Sequence, residues 1–184
     1  MFIQTETTPN PATLKFLPGK TVLAGETRDF RTPDDASQSP LALRLFAIDG
    51  VTGVFLADDF ISITKQAGEW QHLKPAILGT IMDHFLSGDP VITGLDEATD
   101  GGEFFDKSDK ETVETIKELI ETRVRPAVAQ DGGDIVFKGF RDGVVFLQMQ
   151  GACAGCPSST MTLKHGIENL LRHFLPDVTE VRAV

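Results

Sequence analysis

Cys153 and Cys156 are the only thiols in this chain of 184 residues, and two residues separate them. They lie in the run Gln150-Gly151-Ala152-Cys153-Ala154-Gly155-Cys156-Pro157-Ser158-Ser159-Thr160. A two-residue spacer places both sulfurs on one side of a tight turn, the spacing that a single metal centre accepts. The flanking Gly151 and Gly155 let backbone come close to a bulky group. Pro157 suits the first position of a helix and puts Cys156 at or near its N-cap. Free N–H groups and the positive end of a helix dipole favour a thiolate there, and can donate to the sulfides of a negatively charged cluster.

The ligand count then sets the problem. An iron–sulfur cluster normally takes four thiolates, and this chain holds two. His165 and His173 read as exposed positions on the helix that follows, not as ligands at closing distance. The simplest full shell is two chains giving two thiolates each about a two-fold axis, so Cys153 and Cys156 are the expected metal and cofactor-binding residues. A plain buried cysteine pair is the bland reading, disfavoured by the flanking glycines and the Ala-Gly spacer, and two other chemistries share the spacing. A CxxC at a helix N-terminus is also the layout of a thiol–disulfide oxidoreductase, although there the motif comes early, after a βαβ pattern. A zinc module bridging a dimer is the other, since thiolates accept either metal.

The elements around the thiols read as a small α+β domain over residues 109–184. Val113, Ile116, Ile120 and Val124 make one helical stripe, capped by Ser108 or Asp109, with Glu111 spaced for a capping box and Pro126 ending or bending the helix. Ile135–Phe140 and Val144–Met149 are strands about Asp142-Gly143, a strong hairpin signal. After the thiol loop, Leu163, Ile167, Leu170, Leu171 and Phe174 line a second helix, Pro176 stops it, and Val178–Val181 supplies a third strand.

Residues 1–92 read as a second small α+β domain. Phe2–Thr5 and Thr13–Phe16 are short strands on either side of a proline-containing turn. Residues 24–40, with Asp29, Asp34 and Asp35, read as a mobile loop. Leu41–Ile48 is a helix, and Val51–Ala57 and Phe60–Thr64 form a hairpin. Leu73, Ile77, Ile81 and Phe85 recur every four residues on a helix with Pro75 in its first turn and Gly88 past its end. No chemical constellation is visible here, and His72 and His84 read as ordinary surface or half-buried histidines. Residues 93–108, acidic and glycine-containing, read as a flexible linker in which Phe104-Phe105 should dock on one of the domains.

Net charge is −10, with 8 Lys/Arg against 16 Asp/Glu in residues 1–108 and 9 against 11 thereafter. No basic patch is present to neutralise phosphates, which argues against a nucleic-acid partner. No apolar run approaches the roughly 20 residues of a membrane span, and no membrane partner is expected. The N-terminus does not read as a secretory signal or as an Arg-rich transit segment, so the expected compartment is a bacterial cytoplasm, or the mitochondrial matrix if a presequence has been removed.

At the thiol loop the chain resembles a known family. From Arg125 onward, Pro126, the Asp131-Gly132-Gly133-Asp134 turn, Gly151-Ala152-Cys153, Cys156-Pro157-Ser158-Ser159 and Thr162-Leu163-Lys164 resemble the C-terminal domain of NifU-like (Nfu-type) iron–sulfur scaffolds and carriers. The opening MFIQTETTPNPATLKFLPGKTVL resembles the Nfu N-terminal domain. The resemblance implies a 4Fe-4S cluster shared by a homodimer through paired CxxC motifs, with Cys153 and Cys156 as ligands. It also implies delivery to apo iron–sulfur client proteins, supply from upstream cluster-assembly machinery, and an N-terminal domain that modulates the cluster domain or recognises clients. No enzymatic turnover is expected.

Overall fold

The computed structural model describes residues 1–94, 103–154 and 157–184, the side chains of 157–159 excepted. The chain divides into two compact α+β units, Met1–Asp96 and Glu97–Val184.

The N-terminal unit is a five-stranded antiparallel sheet in the order β1-β2-β5-β4-β3, from Gln4–Thr7, Thr13–Leu17, Ile61–Lys65, Val51–Leu56 and Arg28–Phe30 respectively. Leu14, Phe16, Val54, Leu56, Ile61 and Ile63 alternate onto one face, as a half-buried sheet requires. Leu41, Leu45, Leu73, Ile77 and Ile81 from helices α1 (Pro40–Phe46) and α2 (Trp70–Ser87) complete that core. Ser39 caps α1, its Oγ accepting from Ala42 N at 3.1 Å and donating to Val91 O at 2.7 Å.

Three details differ from the sequence reading. Residues 24–40 contain strand β3 and a short 3₁₀ turn over Asp35–Gln38, because β3 pairs with β4 and Phe30 and Ala36 are buried. Helix α2 starts at Trp70, so Pro75 lies inside it; the added turn is anchored by the Trp70 indole N–H, which donates to Pro11 O at 3.1 Å. His84 is fully buried, not half exposed.

The C-terminal unit runs helix, strand, strand, helix, strand. Helix α3 (Lys110–Leu119) passes through a π turn, Ile120–Val124, into α4 (Arg125–Gln130). Pro126 explains the wide turn: it has no N–H for the carbonyl four residues back, and its ring would crowd that carbonyl in a regular helix. The proline therefore bends the stripe without ending it. The expected capping box is not formed, since Asp109 occupies the N-cap with no side-chain hydrogen bond.

Strands β6 (Gly133–Arg141) and β7 (Val144–Gly151) form the antiparallel hairpin, and β8 (Glu180–Ala183) pairs with β7 in parallel. Asp142 and Gly143 both have positive φ, 51° and 78°, the pattern of a type I′ turn. Phe137 and Phe140 cannot share a face at a two-residue period. A register shift between Phe137 and Gly139 turns both into the core. Phe104 docks at that shift. Its N–H donates to Lys138 O at 3.2 Å, and its own carbonyl accepts from Phe140 N at 2.8 Å. Its ring fills the space that a side chain on Gly139 would need and lies 5.0 Å from the ring of Phe146. Helix α5 (Pro157–Phe174) covers the sheet with Ile167 and Leu171.

Candidate functional site

The thiol loop leaves the end of β7 at Gly151, whose φ is 62°, and enters α5 at Pro157. Its first half is held by main-chain bonds. Ala152 N donates to Gly132 O at 3.1 Å, and Ala154 N to Gly151 O at 3.1 Å. From the far side, the Thr160 hydroxyl donates to Cys153 O at 3.1 Å, tying the first turns of α5 to the loop. Cys156 lies outside the described residues.

Cys153 is 6% exposed and packs into the same core as Ile135, Met149 and Ile167. Its sulfur occupies a slot that exists because Gly133 has no side chain: a Cβ there would stand 2.5 Å from Cys153 Sγ and 2.8 Å from Gln150 O. Burial pushes the thiol up to about 12, and the nearby carboxylates of Asp131 and Asp134 push the same way. The sulfur is thus a neutral S–H at physiological pH in this state. The Asp131–Asp134 turn has two glycines with different work. Gly132 takes φ 80° to make the turn, whereas Gly133 sits in ordinary strand conformation and is needed for space.

Asp134 is 4% exposed and is neutralised by Arg125. Arg125 Nε donates to Asp134 Oδ1 and Nη2 to Oδ2, both at 2.8 Å, while Nη1 donates to Glu121 at 2.7 Å. Asp134 Oδ1 also accepts from Ile135 N at 2.8 Å. This two-bond fork raises the guanidinium further above its already high value. The sequence reading missed the pair. The signal that could have found it was a carboxylate at the mouth of an apolar strand, which requires a partner.

His165 and His173 are exposed on α5. Among the described residues, no group of three or more His, Cys, Asp or Glu could hold a metal ion. In the N-terminal unit, His84 accepts at Nδ1 from Arg44 at 3.3 Å, so its proton sits on Nε2, which is buried with no hydrogen-bond partner among the described residues. Arg44 also pairs with Asp89 at 2.6 Å.

Comparison with known proteins places both units. Residues 3–88 match the model of the scaffold protein Nfu/NifU N-terminal domain, and residues 116–182 match that of the NifU-like domain. The whole chain aligns at 53% identity with 72% of the human protein named NFU1 iron-sulfur cluster scaffold homolog, mitochondrial. It aligns at 52% identity with 65% of the protein of the same name from Drosophila sechellia. The solution structure of a NifU-like protein from Saccharomyces cerevisiae is 30% identical over 50% of this chain and 85% of that one, with a TM-score of 0.46.

Proposed function

Because this chain belongs to the Nfu family of NifU-like iron–sulfur cluster scaffold proteins, we propose that two copies hold one 4Fe-4S cluster between them and pass it to apo-proteins. Cys153 and Cys156 of each copy are the proposed ligands. The observation that carries this reading is the thiol count: the chain has two cysteines, and a cluster takes four thiolates.

Binding the cluster is a ligand exchange. Each thiol loses a proton and its sulfur replaces a ligand on iron; transfer reverses the step as a client's thiolates take over. In the protein only the thiol S–H bond gives way to an S–Fe bond, and transfer restores it, so no enzymatic turnover is required. A thiol pushed up to about 12 is disfavoured as a thiolate under either reading, so the shift does not choose between carrier and oxidoreductase. The relatives named above are mitochondrial, and the compartment proposed here is likewise one that keeps thiols reduced, a mitochondrial matrix or a bacterial cytoplasm.

Anaerobic reconstitution with iron-57 and sulfide tests the reading, with Mössbauer spectra and native mass measured together. The expected product is a dimer with about four irons and four sulfides. Cys153→Ser and Cys156→Ser should each abolish uptake, and the loaded dimer should activate an apo 4Fe-4S enzyme faster than free iron and sulfide do. An intact cluster on a monomer without added small thiol would overturn the shared site. One exchange-resistant zinc per dimer, or insulin reduction by the metal-free protein, would replace it with one of the rival readings.

A further inference from the structure

The thiol loop rests on a corner of the fold, and something must hold that corner shut. The corner is the passage from α4 through Asp131 and Gly132 into β6. Gly132 O receives the Ala152 N–H, Gly133 pairs with Gly151 across the ladder, and the missing Cβ of Gly133 makes room for Cys153 Sγ. All three contacts depend on where the first residues of β6 lie against the end of β7.

Arg125 and Asp134 flank this corner, one at the start of α4 and one at the second residue of β6. Their two parallel bonds of 2.8 Å close it as a staple nine residues long. The π turn before Arg125 sets where α4 begins, and Glu121 from within that turn steadies the third guanidinium nitrogen. Asp134 is nearly inaccessible, so its charge has no water to turn to if Arg125 is removed. A carboxylate without the guanidinium beside it would also bear more strongly on Cys153, whose thiolate form it already disfavours.

We propose that Arg125 and Asp134 are positioning residues for the thiol loop: the fork fixes the α4–β6 corner, and the corner seats Cys153. The clamp rests on the proposed function only for what the loop is for; its geometry belongs to the cluster-free chain.

The test uses the full chain, reduced and cluster-free, with Arg125→Lys, Arg125→Gln, Asp134→Asn and the double variant Arg125→Gln/Asp134→Asn. Amide exchange by NMR is read at Ala152, whose N–H bonds the corner, and at Val145, buried at the far end of β7 beside the hairpin turn, as reference. Exchange at Ala152 should rise at least tenfold in Arg125→Gln and Asp134→Asn while Val145 changes far less, at a temperature where circular dichroism shows both folded. The double variant should be no faster than the worse single, because the two residues act as one unit. Arg125→Lys should fall between, since an ammonium keeps the charge but cannot make the fork. Should Arg125→Gln fail to fold, Arg125→Lys and Asp134→Asn carry the same comparison.

Unchanged exchange at Ala152, or a rise matched by Val145, would show that the pair merely adds stability and would overturn the proposal. A separate arm reconstitutes the wild-type chain and Arg125→Lys with iron and sulfide and follows iron loss to a chelator, expected to be several-fold faster in the variant. If the clamp variants loosen Ala152 but the wild-type chain takes up no cluster, the clamp stands and the cargo reading falls. If uptake is normal, Ala152 is indifferent to the variants and iron loss is unaltered, the clamp falls alone.

Discussion

Replacing Gly133 by Ala adds one methyl group at the worst place in the C-terminal unit. The added carbon would meet Cys153 Sγ at 2.5 Å, Gln150 O at 2.8 Å and Cys153 N at 3.0 Å. Two of these neighbours are main chain, so rotating a side chain cannot relieve the contact; the loop or the end of β7 must move. Overpacking of this kind costs about 1–3 kcal/mol. Alanine recovers about 0.4–1 kcal/mol by restricting the unfolded chain. Combining the two gives a loss of up to roughly 2.6 kcal/mol, and the two main-chain contacts place it in the upper part of that range. Gly166→Ala is the control. It lies exposed on α5, nothing stands within 4 Å of the added carbon, and it should gain about 0.5–1 kcal/mol, the usual helix penalty of glycine. Tryptophan fluorescence is blind to both changes, because Trp70 is the only tryptophan and lies in the other unit. Urea unfolding followed by far-UV circular dichroism, with amide exchange across β6 and β7, measures them. In Gly133→Ala the Ala152 amide should lose protection before the middle of β7 does. The reasoning is refuted if Gly133→Ala keeps wild-type stability with Ala152 protected, or if Gly166→Ala is equally damaging.

Phe104→Ala should destabilise the C-terminal unit by about 1–3 kcal/mol, below the usual cost of a fully buried Phe→Ala because the residue is 37% exposed; denaturant unfolding of the full chain measures it. Gly139→Ala should act in the same direction, since its Cβ would stand 2.5 Å from the Phe104 ring. His84 is held below its ordinary value of 6.5, chiefly by burial and then by the Arg44 charge. The unfolded chain therefore binds this proton first, so stability of the N-terminal unit is full above about pH 6.5 and falls with acidification below it, by at most about 1.4 kcal/mol per pH unit for one proton. Trp70 fluorescence during urea titrations from pH 7.5 to 5 reads this, and His84→Leu should flatten the dependence. For Cys153 the sign is opposite. Its folded value near 12 exceeds the ordinary 9.0, so its contribution is intact below pH 9 and is lost as pH rises from there toward 12. Alkylation of the cluster-free chain at pH 8, read by mass spectrometry, should find Cys153 slower than in urea by on the order of 10³, the ratio of thiolate fractions.

The parts of this molecule that were legible in its sequence are those with a local signature. The Asp142-Gly143 hairpin, the α5 stripe and the paired thiols each declare themselves within a few residues. Strand β3 was hidden because its three residues acquire a partner only when β4 arrives some twenty residues later. The continuity of α3 into α4 was hidden because proline signals an interruption but not its kind, and here a wider turn absorbs it. The Arg125–Asp134 fork has neither a helical nor a strand period, because its ends belong to different elements. Gly133 looked like part of a turn, yet its φ is unremarkable; only the sulfur across the ladder shows why a side chain is excluded.

The buried state of Cys153 puts a requirement on any cluster-binding role. Forming a thiolate in its present seat costs on the order of a few kcal/mol more than in open solution, chiefly because the seat is buried. Under the proposed function, deprotonation and departure from the Gly133 slot would be one event, the sulfur turning to iron as it left the core. What remains behind must not collapse, or the thiol could not return once its cargo is gone. The closed corner of α4 and β6 meets that need, since its fork, its turn and its ladder pairing involve no atom of Cys153 beyond the one it shelters. If the chain gives up a cluster as proposed, it needs a stable empty state, and a neutral thiol folded into a hydrophobic core is such a state.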